Sequence, residues 1–357
     1  MKYLITGGAG FIGSNLAHTL LKRADEVIIF DNFSRNGSKA NKAWLQQMEG
    51  VHLKIVAGDI RDDYKKLVPF VKNVDVIVHL AGQVAVTTSV ENPLEDFEIN
   101  ARGTLNLLEA VRASGNNPIF LYSSTNKVYG ELEDVKIMET SSRYAFVNMK
   151  SGVSEERNLD FHSPYGSSKG TADQYVRDYA RIYGLRTIVF RQSCIYGPRQ
   201  FGVEDQGWVA WFIIALTMGK NITIYGNGKQ VRDLLHVNDL INAYDLAIKN
   251  IEKTKGQIYN IGGGSKNTIS IWHEFKPILE GLFKKKIHVK FADFRQGDQP
   301  IFVSNIKKAE KELIPDGSNI IFATGWGTHW SKPDFLTHDW FMKKDAVEYI
   351  VAKKICC

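Results

Sequence analysis

Short apolar runs alternate with segments of helical periodicity through the first half of the chain. The runs are typical of buried strands, and the intervening segments, such as 12–21 with Ile12, Leu16 and Leu20 on one face, are typical of helices. This alternation is expected of a parallel sheet with helical crossovers. We therefore predict an α/β fold with a doubly wound parallel sheet, its strands at residues 2–6, 27–30, 52–57, 74–80, 119–122 and 187–191.

The alternation weakens after Cys194. An amphipathic helix is predicted at 208–216, followed by a strand at 221–225 and a glycine turn at 226–228. We assign 194–230 and 263–357 to a smaller mixed α/β lobe that binds substrate. Residues 1–193 and 231–262 form the predicted main domain, with 231–262 returning to the main sheet.

A glycine-rich loop follows the first predicted strand. Gly7, Gly10 and Gly13 stand between the strand at 2–6 and the helix at 12–21. Strand, loop and helix in this order are typical of a Rossmann dinucleotide-binding unit, in which the glycines let backbone N–H groups approach a pyrophosphate at the helix N-terminus. Asp31, at the end of the second strand, has the position of an acid that binds the ribose hydroxyls and repels a 2′-phosphate. NAD is therefore favoured over NADP, although Arg35 is a residue type that also serves a 2′-phosphate.

Tyr165 and Lys169 are four residues apart and share one face of a predicted helix. Ser163 is a good N-cap and Pro164 suits the first helical position, so Tyr165 is expected in the first turn. There the helix dipole and the Lys169 ammonium would lower the pKa of Tyr165 below its usual value of about 10. Such a tyrosine can act as a general base.

Composition narrows the possible partners. The net charge of +6 is mild and dispersed, so no nucleic acid is expected, and no run approaches the roughly 18 apolar residues of a membrane span. The nine histidines show no metal-ligand spacing, so no metal is expected. Three cysteines, and a strand that leaves no room for a signal peptide, favour the reducing cytoplasm.

Together with Asn100 and the run Ser123-Ser-Thr125, these motifs make the chain similar to the extended short-chain dehydrogenase/reductases that modify nucleotide sugars. The resemblance spans roughly residues 1–310; after about residue 315 the chain departs from the terminal helix of that family. The segments 125–130, 160–165, 199–201 and 205–208 resemble most the branch that epimerises CDP-linked sugars at carbon 2.

The resemblance implies a role for each matching residue. Thr125, Tyr165 and Lys169 would be catalytic. The residues implied for NAD, besides Tyr165 and Lys169, are Gly7, Gly10, Phe11, Ile12, Gly13, Asp31, Asn32, Arg35, Asp59, Ile60, Leu80, Ala81, Gly82, Asn100 and Ser123. Those implied for the substrate, besides Thr125, are Gln192, Gln206, Trp208, Arg232 and Arg295. Structural roles compete for several of them: Asn100 could organise its helix, Trp208 could belong to the core, and Arg232 could pair with Asp233.

The implied activity is the conversion of CDP-paratose to CDP-tyvelose through a transient ketone, a step of O-antigen biosynthesis, by a homo-oligomer. A UDP-sugar 4-epimerase is the main alternative. A sugar-nucleotide 4,6-dehydratase is disfavoured, because those enzymes place Asp-Glu after the catalytic Thr, where this chain has Asn126 and Lys127. A non-catalytic NAD-binding module is the remaining alternative.

Overall fold

The computed structural model of the chain describes residues 1–48, 52–62, 64–295 and 297–314. The predicted departure of the chain after residue 315 lies outside these ranges. No helix within them is long and apolar enough to cross a lipid bilayer.

Strands and helices follow one another in the predicted order. The strands are Lys2–Thr6 (β1), Glu26–Asp31 (β2), Leu53–Ala57 (β3), Val76–His79 (β4), Ile119–Thr125 (β5), Ile137–Glu139 (β6), Tyr144–Phe146 (β7), Arg186–Gln192 (β8), Cys194–Tyr196 (β9), Thr223–Tyr225 (β10), Val231–His236 (β11), Ile258–Ile261 (β12), Thr268–Ser270 (β13), Lys290–Ala292 (β14) and Ile301–Phe302 (β15). The α-helices are Phe11–Lys22 (α1), Ser38–Leu45 (α2), Tyr64–Val71 (α3), Val86–Glu91 (α4), Pro93–Phe97 (α5), Gly103–Ser114 (α6), Pro164–Tyr183 (α7), Trp208–Thr217 (α8), Val237–Lys249 (α9), Ile251–Thr254 (α10), Phe275–Phe283 (α11) and Lys307–Leu313 (α12). A π-helical segment, Glu98–Arg102, joins α5 to α6, and a 3-10 helix, Asn126–Tyr129, follows β5.

Seven parallel strands form the main sheet, in the order β12-β8-β5-β4-β1-β2-β3. Buried side chains of α1 and α9 cover one face, and those of α3, α6 and α7 cover the other. The predicted doubly wound α/β fold is thus confirmed. The chain runs outward from β1 through β2 to β3 and then crosses back to β4 on the other side of β1, so the winding direction reverses beside β1 and a crevice opens at the carboxyl ends of these strands.

A second group of elements forms smaller sheets beside the main one. Strands β9, β11, β13 and β15 make a four-stranded sheet, and β10 pairs with β14. The apolar side chains of α8 and α11 share a core there. The predicted amphipathic character of 208–216 was wrong: α8 is buried on nearly all sides, because Ala210 and Ile214 pack against Phe201 and Met218 while Phe212 and Ile213 face α11.

The stretch 231–262 returns to the main sheet only in part. Strand β12 pairs with β8 at the sheet edge, and α9 packs on one face of the sheet. Strand β11, however, pairs with β9, β13 and β15 in the four-stranded sheet. The assignment of 231–236 to the main sheet was therefore wrong, since its backbone partners come from 194–196, 268–270 and 301–302; the domain boundaries themselves stay a prediction.

Candidate active site

A cleft of about 500 Å³ opens at the carboxyl ends of β1, β2 and β4. It brings together all the residues that the sequence predicts for the cofactor, except Asn100, Tyr165 and Lys169. The predicted residues in its lining are Gly7, Gly10, Phe11, Ile12, Gly13, Asp31, Asn32, Arg35, Asp59, Ile60, Leu80, Ala81, Gly82 and Ser123.

The loop between β1 and α1 depends on its glycines. Gly7 has a φ of +68°, and a Cβ there would lie 2.7 Å from the backbone nitrogen of Ala81. A Cβ on Gly13 would lie 2.5 Å from the carbonyl oxygen of Gly7. Helix α1 begins at Phe11, directly after Gly10. The loop therefore leaves backbone N–H groups accessible at the N-terminus of α1, as the binding of a pyrophosphate requires.

Asp31 closes the far side of this loop. Its carboxylate accepts hydrogen bonds from the backbone N–H of Ala9 at 3.0 Å and of Phe33 at 2.7 Å. Burial raises the pKa of Asp31, although these two hydrogen bonds oppose the rise. Each carboxylate oxygen has a second lone pair, so Asp31 can still accept from ribose hydroxyls. The arrangement fits NAD.

Neighbouring side chains hold the Asp59 carboxylate in place in the wall of the cleft. Asn32 Nδ2 donates to its carboxylate at 2.9 Å, and the Arg61 guanidinium binds it through Nε and Nη2 at 3.0 and 2.8 Å. These contacts lower the pKa of Asp59 to about 2, the Arg61 hydrogen bond being the main cause. Asp59 is thus a fixed carboxylate in the wall of the cleft.

The segment 198–207 crosses the cleft and is attached on both sides. Asn15 Nδ2 donates to the Pro198 carbonyl at 2.9 Å, and the Arg35 guanidinium donates to the Gln206 side chain. On the other side, Arg295 Nη2 pairs with Asp205 at 2.9 Å. Gln206, which the sequence predicts for the substrate, therefore lies at the edge of the cofactor cleft together with Arg35.

Thr125 and Tyr165 meet at the end of β5. Thr125 is the last residue of that strand, and Ser163 caps α7 by accepting a hydrogen bond from Gly166 N–H. With Pro164 at the first helical position, Tyr165 lies in the first turn, so the predicted start of the helix is confirmed. The Thr125 side chain lies close enough to the Tyr165 hydroxyl to favour its phenolate form, which opposes the effect of burial on the pKa of Tyr165.

The predicted low pKa of Tyr165 was wrong. Burial raises its pKa to about 12, more than the Thr125 hydrogen bond and the charge of Arg35 lower it. Tyr165 is 8% exposed, and its backbone N–H donates to Ser89 Oγ of α4 at 3.1 Å. Desolvation of the phenolate thus exceeds the electrostatic help that the sequence predicted.

Lys169 is buried beside Tyr165 on the same face of α7. Its ammonium donates to the Ser123 carbonyl at 2.6 Å and lies 4.3 Å from the centre of the Tyr122 ring. Burial lowers the pKa of Lys169 to about 7, although Asp173 and Asp96 oppose this. Near neutral pH the Lys169 side chain is therefore only partly protonated, which weakens its ability to lower the pKa of Tyr165.

Asn100 lies behind the wall of the cleft. Its side-chain oxygen accepts from Gln83 N–H at 3.0 Å, and its nitrogen lies 3.1 Å from both Asp96 Oδ1 and Ser168 Oγ. A Cβ on Gly82 would lie 2.9 Å from the Asn100 oxygen. Asn100 thus positions the 82–83 backbone and joins it to α7, the structural role that the sequence left open.

Three of the predicted substrate residues, Gln192, Trp208 and Arg232, do not line the cofactor cleft. Gln192 is paired with Thr125 across β5 and β8, and its amide donates to Tyr244 at 2.6 Å. Arg232 is 7% exposed and its Nη2 pairs with Asp298 at 2.6 Å, so the predicted alternative of pairing with Asp233 is not the observed one. The Trp208 ring packs edge-on against Phe212 and Phe275, which places it at the margin of the smaller core.

Several residues of the cleft carried no separate signal in the sequence. They are Asn36, Ser38, Asn41, Gln83, Val84, Ala85, Thr88, Ile99, Arg199, Gln200, Phe201 and Val203. Only the segment 199–201 was noticed, and as part of the resemblance, not as cleft lining. Its Arg199 has a φ of +63° and stacks 4.2 Å from the centre of the Trp44 ring.

Comparisons with known proteins agree with this geometry. The model of the family described as "NAD dependent epimerase/dehydratase family" matches residues 3–262. CDP-paratose 2-epimerase of Salmonella typhi is 50% identical over 315 residues, 86% of this chain and 92% of that protein. UDP-glucuronic acid 4-epimerase from Bacillus cereus, solved with UDP-glucuronic acid and NAD, has a TM-score of 0.77 at 26% identity, covering 98% of this chain and 100% of that one.

A dehydratase has the same fold. The dTDP-glucose 4,6-dehydratase DesIV of Streptomyces venezuelae, solved with NAD, has a TM-score of 0.74 at 31% identity, covering 89% of this chain and 93% of that one. The matching family model spans the glycine loop, Asp31, Thr125, Tyr165 and Lys169. The chain is therefore an enzyme of the NAD dependent epimerase/dehydratase family, with NAD as its cofactor.

Proposed function

We propose that the enzyme inverts carbon 2 of CDP-paratose to give CDP-tyvelose. The observation that carries the proposal is the 50% identity, over 86% of the chain, to a CDP-paratose 2-epimerase. The geometry supports it, because Thr125, Tyr165 and Lys169 are all buried next to the NAD cleft, whose lining includes Ser123, two residues before Thr125.

In the proposed mechanism Tyr165 removes the proton of the carbon 2 hydroxyl and later returns it. Thr125 donates a hydrogen bond to the same oxygen, and Lys169 orients the cofactor ribose. Held by the glycine loop and Asp31, bound NAD would supply reversible hydride transfer at carbon 2, and the positive charge of its oxidised ring would favour the phenolate form of Tyr165. Between the two transfers, the keto-sugar turns about its bonds to the diphosphate and presents its other face.

The nucleotide must stay fixed while the sugar turns. Arg232 and Arg295 are the proposed anchors for the diphosphate, because guanidinium groups make strong charge-assisted hydrogen bonds to phosphate. Each is already paired with an aspartate, Asp298 and Asp205 respectively. Diphosphate binding therefore requires each arginine to share its donors between phosphate and carboxylate.

Elimination of water is not expected. A dehydratase needs an acid and a base at the sugar, and the residues after Thr125 are Asn126 and Lys127. Asn126 is a neutral amide, and the partly buried Lys127, whose pKa burial lowers to about 8, is an amine or its cation. Neither residue supplies the carboxyl groups that a dehydratase has at these positions.

Two incubations of the purified enzyme, without added reductant, test the proposed function. CDP-paratose and UDP-glucose are offered separately, and the sugar proton couplings are followed by NMR. We expect CDP-paratose to equilibrate with CDP-tyvelose and UDP-glucose to stay unchanged. Inversion of UDP-glucose at carbon 4 with CDP-paratose unchanged would assign the enzyme to the 4-epimerases, and a product lighter by one water would contradict any epimerase.

We also propose that the enzyme is a cytoplasmic homo-oligomer. Large apolar side chains are exposed on the neighbouring helices α5 and α7, namely Leu94, Phe97, Tyr175, Ile182 and Tyr183. A symmetric contact between copies would cover them. Light scattering at micromolar concentration tests this, and a monomer would contradict it.

The proposed compartment rests on cysteine chemistry. In the described part of the chain Cys194 is a free thiol, the form that the reducing cytoplasm maintains.

A further inference from the structure

Lys127 is a cation that the proposed mechanism does not use. It lies in the 3-10 helix Asn126–Tyr129, and its backbone N–H donates to Thr125 Oγ1 at 3.2 Å. The side chain does not line the NAD cleft. Instead, its ammonium donates to the carbonyl of Gly297 at 3.0 Å, in the loop that also contains Arg295 and Asp298.

The surroundings of Lys127 favour an incoming anion. The charged and titratable groups that act on it are Asp298, Arg232, Cys194 and Glu131. Asp298 is engaged by Arg232 at 2.6 Å, and within the described part of the chain no carboxylate lies within 4.0 Å of the Lys127 ammonium. A partly buried lysine with no carboxylate at ion-pair distance is only partly compensated for the loss of its hydration.

The Lys127 ammonium also has N–H donors that the Gly297 carbonyl does not use. A lysine has three N–H donors, and the Gly297 carbonyl accepts one of them. A phosphate oxygen would take another and would supply the missing negative charge. Arg232 acts electrostatically on Lys127 and pairs with Asp298, the residue next to Gly297, so a doubly charged group bound by Lys127 would also be attracted by Arg232.

The position of Lys127 relative to Thr125 bears on which carbon reacts. In a nucleotide sugar, carbon 1 carries the diphosphate and is bonded directly to carbon 2, whereas carbon 4 lies across the ring. The backbone of Lys127 contacts Thr125 Oγ1, so a phosphate held by the Lys127 side chain would bring carbon 2 closer than carbon 4 to the Thr125 and Tyr165 hydroxyls. We propose that Lys127 binds the β-phosphate of the nucleotide sugar and thereby selects carbon 2; this rests on the proposed function.

Paired nucleotides test the contact. The affinities of CDP, which has a β-phosphate, and of CMP, which lacks one, are measured by calorimetry on the NAD-loaded full chain at pH 7. Lys127→Met should reduce the advantage of CDP over CMP by about 10-fold or more, the usual effect of a hydrogen bond to a charged group, with CMP affinity unchanged. Lys127→Arg should keep most of the advantage, and Lys136→Met, at an exposed lysine outside the cluster, should keep all of it.

The pH dependence of the ratio of CDP to CMP affinity gives a second test. Because the pKa of Lys127 is lowered to about 8, the advantage of CDP in the unmodified enzyme should fall between pH 7 and pH 9, and it should be flat in Lys127→Met. An unchanged ratio of CDP to CMP affinity in Lys127→Met would overturn the inference, even if that variant is inactive or less stable. An enzyme that binds UDP and not CDP would overturn the proposed substrate instead, and the ratio of UDP to UMP affinity would then decide the role of Lys127.

Discussion

Replacement of Tyr165 by phenylalanine tests the chemistry most directly. The substitution removes one hydroxyl from a side chain that is 8% exposed and leaves the ring in place. Loss of a general acid–base group typically lowers kcat by about 10²- to 10⁴-fold. We expect a decrease in this range for Tyr165→Phe.

The fold should tolerate this change. The Tyr165 hydroxyl lies near Thr125, whose own hydroxyl is 3.3 Å from Asn126 Oδ1 and so keeps a partner. The loss is at most that of a single hydrogen bond, about 1 kcal/mol of unfolding free energy. The melting temperature should therefore fall by only about 2–4 °C.

The assay follows sugar epimerisation by NMR and measures the NAD released after denaturation of the same sample. Tyr129→Phe is the matched control, because Tyr129 is also buried but its hydroxyl contacts Asn260 at 2.8 Å and Arg191 at 3.0 Å, away from the cleft. That variant should lose about 1–3 kcal/mol of stability and keep its kcat. A Tyr165→Phe enzyme with more than about a tenth of normal kcat and full NAD content would refute the role of Tyr165 as the proton acceptor.

Three further outcomes are expected. Denatured enzyme should release NAD, and recovery of NADP would contradict the role of Asp31 beside Ala9 N–H. Gly7→Ala should abolish NAD retention, because its Cβ would lie 2.7 Å from the Ala81 backbone at a φ of +68°; normal NAD content would contradict this. Burial lowers the pKa of Lys169 to about 7, so above that pH the unfolded chain binds more protons than the folded enzyme. The melting temperature of the cofactor-free enzyme should therefore rise from pH 7 to pH 9, and it should rise less in Lys169→Met. A melting temperature that falls over this range would contradict the argument.

Local patterns were enough to predict the main sheet and the start of α7. Strand runs, glycine spacing and the Ser163-Pro164 cap act within a few residues of one another, so each can be recognised from the sequence. The same holds for Asp31, whose backbone partners, Ala9 and Phe33, belong to the loop it closes and to the next turn.

What could not be predicted depends on segments that are distant in sequence. The high pKa of Tyr165 results from burial, to which α4 contributes through Ser89, 76 residues earlier. The partner of Arg232 is Asp298, 66 residues away, and not the adjacent Asp233. The burial of α8 depends on α11, a helix much further along the chain, against which Phe212 and Ile213 pack.

The attachment of the segment 198–207 to both sides of the cleft has a consequence for the redox state of the enzyme. We expect release of the cofactor to require breaking the contacts of Pro198 with Asn15 and of Gln206 with Arg35. An enzyme molecule that lost its keto-sugar halfway through the proposed cycle would then retain reduced cofactor and could not begin again with a normal substrate. Such molecules would accumulate as an inactive fraction, so the number of cycles completed per molecule would depend on how well the sugar is held, not on how fast it reacts.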